Sequence, residues 1–472
     1  MSSNAILLDK TRNFVTEPEQ KLPVVADVDV LVVGGGTAGV VAAVAAARTG
    51  AKTLIVERGG YVGGTGSAAL MCLYNVSYET TCGICREMID DMAARGGAVC
   101  GPVIPYDPEV FKQVASQKLR SVGAGTLFYT STARTIVEHA AVKGIIIENK
   151  SGRQAVLAKV VVDATGDGDV AVSAGAEYMT GRETDNKMRP MTVIFKAGPV
   201  DILKIKEYWD SNPDDFSPDF SHNVMDLDNK LLRLDGFFEA TRRANKEGRI
   251  NEHIHYLRLH GIVGDIGNLY VNSVRVYNVA GTSGADLSRA QQEAMQQIAE
   301  LMEFLRTDIP GFENAVVMET AVSMGVRESR RIVGDYTLTV EDCASSRVFD
   351  DAIMTSQTRK VAGVHVHSPD GGEGAADDPY VSHLQLPLVE YSVPYGVLLP
   401  KGLEGILVAG RCVSSTHEAD GWIRGQTAVM AVAQAVGTAA ALAVKGNTSL
   451  RDISIEELQK SLIEQGCRVR LP

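Results

Sequence analysis

Cysteine and positive charge are both scarce in this chain. The 472 residues contain 7 cysteines, an odd and small number that argues against a disulfide-stabilised secreted fold and favours a reducing compartment. The formal net charge of −12 argues against nucleic acid or an anionic membrane surface as a partner. Residues 1–25 are polar and contain no apolar stretch of the kind found in secretory signals. We therefore expect a cytoplasmic globular protein.

Long hydrophobic runs are also lacking, with one exception. Residues 427–444 are apolar enough to resemble a membrane span, but most of them are small, and Gln434 and Gly437 interrupt the run. A buried helix packed closely against a sheet suits this composition better than a transmembrane helix. We therefore expect no membrane span.

A glycine-rich turn carries the first chemical signal. An apolar predicted strand, residues 28–33, leads into Gly34, Gly36 and Gly39 in the spacing G-x-G-x-x-G, and the next predicted strand ends at Glu57. In such a βαβ unit the glycines allow a tight turn, close approach of a pyrophosphate and close helix packing, while the acidic residue binds a ribose. The sequence therefore predicts an adenine dinucleotide site, with the phosphates at the N-terminus of the helix.

Three further glycine motifs follow along the chain. A glycine-rich loop covers residues 58–72, and a run of predicted strands ends in an Ala-Thr-Gly turn at residues 164–166. Near the other end, a short apolar strand over residues 405–410 ends in glycine, and the apolar helix begins near residue 425. The order of these motifs along the chain can be compared with that of known protein families.

Taken in that order, the motifs resemble the flavoproteins with two dinucleotide-binding domains and a glutathione-reductase-like fold, and among them the family of FAD-dependent oxidoreductases. The matching stretches are residues 32–39, 57–72, 163–169, 189–192, 328–336 and 407–425. The resemblance implies FAD as the cofactor. It also implies an α/β fold, in which a Rossmann-like FAD-binding domain of the glutathione-reductase type carries an inserted α+β substrate domain.

The expected domain boundaries follow from this resemblance. We expect an N-terminal arm over residues 1–27, an FAD-binding domain formed by residues 28–180 and 385–446, a substrate or cap domain over residues 181–384, and a C-terminal tail over residues 447–472.

The motifs also indicate which residues would hold FAD. Arg411 stands where many members of the resembled family carry an acidic residue, so its guanidinium could pair with the pyrophosphate instead. The helix near Gly425 would direct its N-terminus at the N1–C2=O edge of the flavin. Gly66 replaces the redox cysteine that follows Gly-Gly-Thr in disulfide reductases, which argues against a dithiol reductase. The candidate cofactor-binding residues are Gly34, Gly36, Thr37, Ala38, Gly39, Glu57, Arg58, Gly64, Thr65, Gly66, Ala133, Ala164, Thr165, Gly166, Asp167, Gly410, Arg411, Arg424, Gly425 and Thr427.

Candidate catalytic residues come from the predicted flavin and substrate sides. His417 precedes the flavin-facing helix and could accept a proton during hydride transfer, with Glu418 orienting its ring, or it could be a structural histidine. Asn272 and Arg275 lie on a predicted strand over residues 269–276 and could face the substrate. These assignments leave both a catalytic and a structural interpretation open.

Three further segments have open interpretations. Arg330 belongs to a charged run over residues 327–331 that would either bind a substrate carboxylate or form a salt-bridge network between domains. Cys82 and Cys85 form a C-x-x-C pair that could be redox-active, bind a metal or be two partly buried thiols. The His-Val-His segment at residues 365–367 alternates as metal ligands can, but a solvated strand suits it better, and we expect no metal.

The expected activity is oxidation of a small-molecule substrate by FAD. The chain has no second G-x-G-x-x-G motif, so we expect hydride transfer to flavin N5 from a C–H next to OH or N, with O₂, a quinone or a carrier protein as the unidentified electron acceptor. Direct entry of NAD(P)H at the flavin stays open. The alternatives are reduction of an activated C=C bond and a non-redox role as an FAD-templated hydratase or isomerase or as an electron-transfer subunit. A homo-oligomer also stays open.

Overall fold

The computed structural model describes residues 15–217, 223–229, 231–262, 264–357, 369 and 390–469. The segment at residues 365–367 and the expected boundary between residues 384 and 385 lie outside these described residues. In chain order, the strands are β1 (Val24–Val33), β2 (Thr53–Val56), β3 (Leu73–Tyr74), β4 (Ile104–Pro105), β5 (Gly125–Leu127), β6 (Ser131–Glu138), β7 (Ala141–Asn149), β8 (Gly152–Asp163), β9 (Tyr178–Thr180), β10 (Phe195–Gly198), β11 (Val224–Asp226), β12 (Leu231–Gly236), β13 (Leu257–Ile262), β14 (Asp265–Val271), β15 (Val316–Thr320), β16 (Arg330–Ile332), β17 (Ala352–Gln357), β18 (Glu390–Pro394) and β19 (Ile406–Val408).

Helices connect these strands and cover the sheets. They are α1 (Thr37–Arg48), α2 (Gly83–Ala93), α3 (Pro108–Ser121), α4 (Asp169–Ser173), α5 (Ile202–Ser211), α6 (Phe238–Lys246), α7 (Gly284–Asp308), α8 (Val340–Ala344), α9 (His417–Ile423), α10 (Gln426–Gly446) and α11 (Ile455–Glu464). Helix α3 shows how local sequence sets a boundary: Asp107 precedes Pro108, and the Asp107 carboxylate accepts the N–H of Glu109 at 2.7 Å. This is the N-cap arrangement that the sequence predicts.

The first sheet has seven strands, and its parallel part contains the predicted βαβ unit. Its order is β5-β2-β1-β8-β7-β6, and β19 also pairs with β8. Strands β5, β2, β1, β8 and β19 run parallel, whereas β7 and β6 are antiparallel. Strand β8 is long enough to pair with β7 over Gly152–Leu157 and with β19 over its last residues. The α/β class with a parallel nucleotide-binding sheet is confirmed.

Helices α1 and α10 pack side by side on this sheet. Helix α1 contacts β1 and β2, while α10 contacts β8 and β1. Among the described residues, α10 alone has the length and apolar composition of a membrane span. The fold buries most of it, and a Cβ added at Gly437 would lie 2.1 Å from the Ala42 carbonyl oxygen of α1. This is the close packing that its small residues predict.

A second sheet of six antiparallel strands is formed by residues between β8 and β19 in sequence. Its order is β11-β12-β13-β14-β10-β15. One side is apolar, since Leu234 of β12 is paired with Leu259 of β13, and Leu259 with Val271 of β14. The other side is polar, and its two central paired residues are Arg233 and His260. Such alternation gives a sheet one packed face and one face directed at a cavity or solvent.

Candidate functional site

The carboxyl ends of the parallel strands meet at one edge of the first sheet. Val33 of β1 is paired with Val56 of β2 and with Asp163 of β8, and Asp163 is paired with Val408 of β19. A cavity of about 2210 Å³ opens beyond this edge and extends to the second sheet. Open α/β sheets bind their ligands at this edge, and the cavity is larger than a usual pocket for one small molecule. It is therefore the candidate site.

Most of the predicted cofactor-binding residues line this cavity. Gly39 and Gly66 do not, because Gly39 packs against the Gly34 carbonyl and Gly66 against the Tyr106 hydroxyl and the Gln426 amide. The residues that do line it are Gly34, Gly36, Thr37, Ala38, Glu57, Arg58, Gly64, Thr65, Ala133, Ala164, Thr165, Gly166, Asp167, Gly410, Arg411, Arg424, Gly425 and Thr427.

The glycine turn between β1 and α1 is shaped to receive phosphates. Gly34 has a φ of +101°, and a Cβ there would lie 2.5 Å from the Ala164 carbonyl oxygen, so the turn packs directly on the Ala-Thr-Gly turn. A Cβ at Gly36 would meet nothing within 4 Å, because this residue faces the open cavity. Gly36 caps α1 without a side-chain hydrogen bond, which leaves the first N–H groups of the helix available to an anion.

Glu57 connects this turn to the following loop. Its Oε2 accepts the Gly35 N–H at 2.7 Å, and its Oε1 accepts the Gly59 N–H at 2.6 Å. Each carboxylate oxygen has a second lone pair, so these backbone bonds leave room for the ribose bond that the sequence predicts. The same contacts fix the orientation of the carboxylate before any ligand binds.

The Ala-Thr-Gly turn is held by a buried carboxylate at the end of β8. Asp163 accepts the Thr165 hydroxyl at 2.7 Å and the Ala171 N–H at 2.9 Å, and burial raises its pKa. The next acidic residue, Asp167, forms an ion pair with Arg411. If Arg411 pairs with a pyrophosphate, its guanidinium must either bind Asp167 and the pyrophosphate together or break the ion pair with Asp167.

The start of α10 presents a second helix N-terminus to the cavity. Its N-cap, Gly425, has no side chain to bond the first N–H groups, and a Cβ there would meet nothing within 4 Å. Arg424 also lines the cavity, and burial together with Arg189 lowers its pKa to about 10. The cavity thus has positive potential at both of its helix ends.

A family model described as FAD dependent oxidoreductase matches residues 29–462. The chain belongs to this family. FAD is accordingly its cofactor, and the protein is an enzyme. The open space at Gly36 and the two uncapped helix ends fit the pyrophosphate and the flavin of FAD.

Two solved structures show different degrees of similarity to this chain. A myxobacterial chondrochloren halogenase of the FAD-dependent type is 12% identical, with a TM-score of 0.50 over 93% of this chain and 78% of that chain. A geranylgeranyl bacteriochlorophyll reductase-like protein from Thermoplasma acidophilum is 14% identical, with a TM-score of 0.46 over 94% and 85% of the two chains. At these identities the likeness concerns the fold alone. No curated protein matches the sequence.

His417 does not line the FAD cavity. Its side chain is buried at the start of α9, and its Nδ1 lies 2.8 Å from Glu328 Oε1. The sequence predicts Glu418 as the orienting carboxylate, and this is wrong, because Glu328, 89 residues away in the chain, makes the contact. The structure therefore gives no support to direct proton transfer between His417 and a substrate.

The surroundings of His417 form a buried charge network. Arg189 contacts Glu328 at 3.2 Å and Asp420 at 2.8 Å, and Arg331 also pairs with Glu328. Burial alone would raise the pKa of Glu328, but Arg189, His417 and Arg331 hold it below its usual range. Burial and Arg189 lower the pKa of His417, so the neutral ring donates from Nδ1 to the ionised Glu328.

The remaining catalytic candidates lie in different environments. Arg330 lines the cavity but donates to the Asp167 carbonyl at 2.8 Å and pairs with Asp169, so it braces the Ala-Thr-Gly turn. Asn272 lines the cavity. Arg275 does not: the predicted strand ends at Val271, and the Arg275 guanidinium turns back to backbone carbonyls, including that of Asn272 at 3.1 Å.

Sequence reasoning missed three residues on the polar side of the second sheet. Arg233, Arg258 and His260 all line the FAD cavity. The signal was present as strict alternation of leucine with polar residues over residues 232–235 and 257–260. The direction of the polar face depends on how the second sheet packs against the rest of the chain, which alternation does not reveal.

The cysteine pair shows no sign of activation. Cys82 is the N-cap of α2, and both Cys82 and Cys85 are free thiols. Burial raises the pKa of the Cys85 thiol, which opposes the thiolate form that redox chemistry needs. Within the described part of the chain, no group of three or more His, Cys, Asp or Glu side chains is arranged to hold a metal.

Proposed function

We propose that this FAD-dependent oxidoreductase oxidises a small polar substrate at a C–H bond next to OH or N. The observation that carries the proposal is the single cavity that joins the glycine turn of the first sheet to the polar face of the second. FAD, when bound, supplies the hydride acceptor. The space between the start of α10 and the second sheet would then receive the substrate.

The proposal includes the domain arrangement. The second sheet and helices α5–α7 lie between β8 and β19, which supports an inserted substrate domain within residues 181–384 and a glutathione-reductase-type FAD domain around it. Gly36 and the first turn of α1 would bind the pyrophosphate, Glu57 the ribose, and the start of α10 the flavin. Asn272 would contact the substrate, while His417 would position α9 through its bond to Glu328.

Flavin bleaching tests this proposal. Purified holoprotein is mixed without oxygen with polyols, hydroxy acids, amines and amino acids, and the flavin absorbance is followed. We expect one compound class to bleach the flavin. Because Asn272 is buried on the cavity wall, Asn272→Ala should slow bleaching by about tenfold, the cost of one lost hydrogen bond to the substrate.

The matched control is Asn212→Ala, which changes an exposed asparagine at the end of α5. Both variants must retain FAD, which the visible spectrum reports. If no compound class bleaches the flavin, and none reoxidises prereduced flavin, a non-redox role replaces the proposal.

A second candidate function is reduction of an activated C=C bond. Arg424 favours it, because a guanidinium that lines the cavity and whose pKa is lowered to about 10 by burial releases a proton more readily than an exposed arginine. The same measurement of flavin absorbance distinguishes substrate oxidation from reduction of a C=C bond. Reoxidation of prereduced flavin by unsaturated acids, with no bleaching by saturated compounds, would establish the reductase.

A further inference from the structure

His260 is the most unusual polar side chain on the cavity wall. It lies near the centre of the second sheet, paired with Arg233 of β12 and with Tyr270 of β14. The residue is 1% exposed, and its ring packs against the Tyr270 ring at 5.2 Å between centroids. Yet it lines the large cavity, so an occupant of the cavity can contact it.

Neither ring nitrogen of His260 has a hydrogen-bond partner within the described residues. Both Nδ1 and Nε2 are buried and unbonded. Buried polar groups are nearly always hydrogen-bonded, and leaving one unbonded costs about 1–3 kcal/mol. A buried imidazole with two unbonded nitrogens, in a residue that lines a cavity, is therefore expected to bond to a polar group that enters the cavity once the surrounding side chains make room for the contact.

Positively charged groups flank the ring. The charged side chains that face His260 are Arg233 and Asp235 of β12 and Arg258 of its own strand. Arg258 binds Asp235 through two contacts, at 2.9 and 3.1 Å, and Arg233 reaches the same carboxylate at 3.2 Å. The guanidinium groups are thus fixed in position, and Asp235 offsets part of their charge. The remaining field suits a group with one negative charge.

This wall is linked to the start of α10 through the segment that begins at Met71. Gln426, the first residue of α10, donates to the Met71 carbonyl at 2.8 Å, and Asn272 of the same wall reaches Met71 Sδ at 3.6 Å. Arg233 also donates to Asn75 of the segment that follows Met71. The wall that carries Arg233, His260 and Asn272 is therefore connected through residues 71–75 to the start of α10.

We propose that His260, Arg233 and Arg258 bind the carboxylate of an organic-acid substrate, an assignment that rests on the proposed function of the same cavity. His260 donates one ring N–H to the carboxylate, and the two arginines supply the favourable potential. The substrate class is then a small organic acid whose reacting C–H lies between this wall and the start of α10.

Calorimetric binding to the FAD-loaded protein tests the assignment without relying on turnover. The probes are acetate, oxalate and succinate, each compared with its neutral amide, together with inorganic phosphate. We expect at least one carboxylate to bind at least tenfold more tightly than its amide and than phosphate. His260→Leu should weaken that binding by about tenfold or more, because it removes a hydrogen bond to a charged group.

The control variant is His253→Leu, which changes a partly exposed histidine outside the cavity lining. It should bind the carboxylate as the natural protein does. Both variants are compared at equal FAD loading and with measured unfolding temperatures. If His260→Leu does not fold, His260→Gln replaces it; because a glutamine amide still donates an N–H, it should retain the carboxylate binding of the natural protein, and loss of that binding contradicts the assignment.

Three results would overturn the assignment: no carboxylate binds, the amide or phosphate binds as tightly, or the His260 and His253 variants bind alike. Failure of the proposed function looks different. Carboxylate binding that depends on His260, without any flavin bleaching, would support the site and reject the oxidation. Bleaching by neutral polyols alone would support the oxidation and reject the carboxylate site.

Discussion

At the scale of single residues, burial sets the charge that each site histidine carries. His260 and His417 are both 1% exposed, and burial is the largest cause of the lowered pKa of each ring. Both rings are therefore neutral at neutral pH. They differ in their partners, because His417 is bonded to Glu328, whereas His260 belongs to the cavity lining and both of its ring nitrogens are unbonded within the described residues. The first is suited to positioning and the second to binding.

The lowered pKa of His260 predicts a specific loss of stability in acid. Burial, Arg233 and Arg258 lower its pKa to about 3, whereas an unfolded chain has a value of about 6.5. Below pH 6.5 the unfolded state therefore binds one more proton at this residue, and the free energy of unfolding falls by up to about 1.4 kcal/mol per pH unit. The free energy of unfolding can be measured with urea between pH 4 and 6.5 at saturating FAD. Its dependence on pH should be weaker in His260→Leu than in the natural protein, by the equivalent of about one proton.

His253→Leu is the reference for that measurement, since its ring is partly exposed. Equal slopes for His260→Leu and the natural protein would mean that His260 is protonated in the folded state. That result would also remove the neutral donor from the proposed carboxylate site.

Residue roles were only partly predictable from the sequence. The glycines and Glu57 were predictable because their function depends on a local turn and on one adjacent strand. The partner of His417 was not, because Glu418 is its neighbour in sequence while Glu328 is its neighbour in space. Burial in a charge network, which keeps His417 from the cavity, depends on three segments (around residues 189, 328–331 and 417–420) that no local pattern links.

At the scale of elements, the packing of α10 on α1 holds the cofactor edge together. Helix α1 begins at the glycine turn and α10 begins at the part of the cavity proposed for the flavin, so their contact sets the distance between the two helix N-termini. Gly437 allows the two helices to approach closely, because a side chain at this position would clash with the Ala42 carbonyl oxygen. The small residues that imitate a membrane span serve this packing.

Gly437→Ala should therefore destabilise the protein. The added Cβ would lie 2.1 Å from a backbone oxygen that cannot move without displacing α1, and overpacking of this kind costs about 1–3 kcal/mol. Gly446→Ala, at the open end of the same helix, is the control, because its nearest contact would be 3.5 Å away. Chemical unfolding of both variants measures the difference, and equal stabilities would contradict the close packing.

Elements were easier to predict than their ends. The apolar runs at residues 28–33 and 405–410 indicated strands β1 and β19 of the first sheet, and the apolar segment from near residue 425 indicated α10. The strand expected over residues 269–276 instead ends at Val271. Its continuation over residues 273–276 alternates polar and apolar residues, and all four are buried outside the sheet, which the sequence pattern cannot distinguish from strand pairing.

At the scale of the whole molecule, the cavity is lined by parts of the chain that are far apart in sequence. The cavity is lined from Val33 in β1 to Val429 in α10. FAD binding is therefore linked to the stability of the complete fold, because a ligand that binds only the native state stabilises it. Excess FAD should raise the free energy of unfolding by about 2.7 kcal/mol at one hundred times its dissociation constant.

Gly36→Val should abolish this stabilisation while costing the FAD-free protein only about 1 kcal/mol, because valine is less favourable than glycine at a helix N-cap but its Cβ meets no neighbour here. Gly36 has extended backbone angles that valine tolerates, and its side chain would enter the space for the pyrophosphate. Gly267→Val, in the second sheet and outside the cavity lining, is the control. Undiminished FAD stabilisation in Gly36→Val would place the pyrophosphate elsewhere.

The pairing of β19 with the last residues of β8 has a consequence for biosynthesis. Strand β8 leaves the ribosome long before β19, and Gly410, Arg411 and the start of α10 follow β19. A nascent chain can thus form the glycine turn early but must wait for these later residues to complete the cavity. Stable loading with cofactor is consequently an event of the finished polypeptide, and the supply of FAD at that moment influences how much of the newly made protein survives.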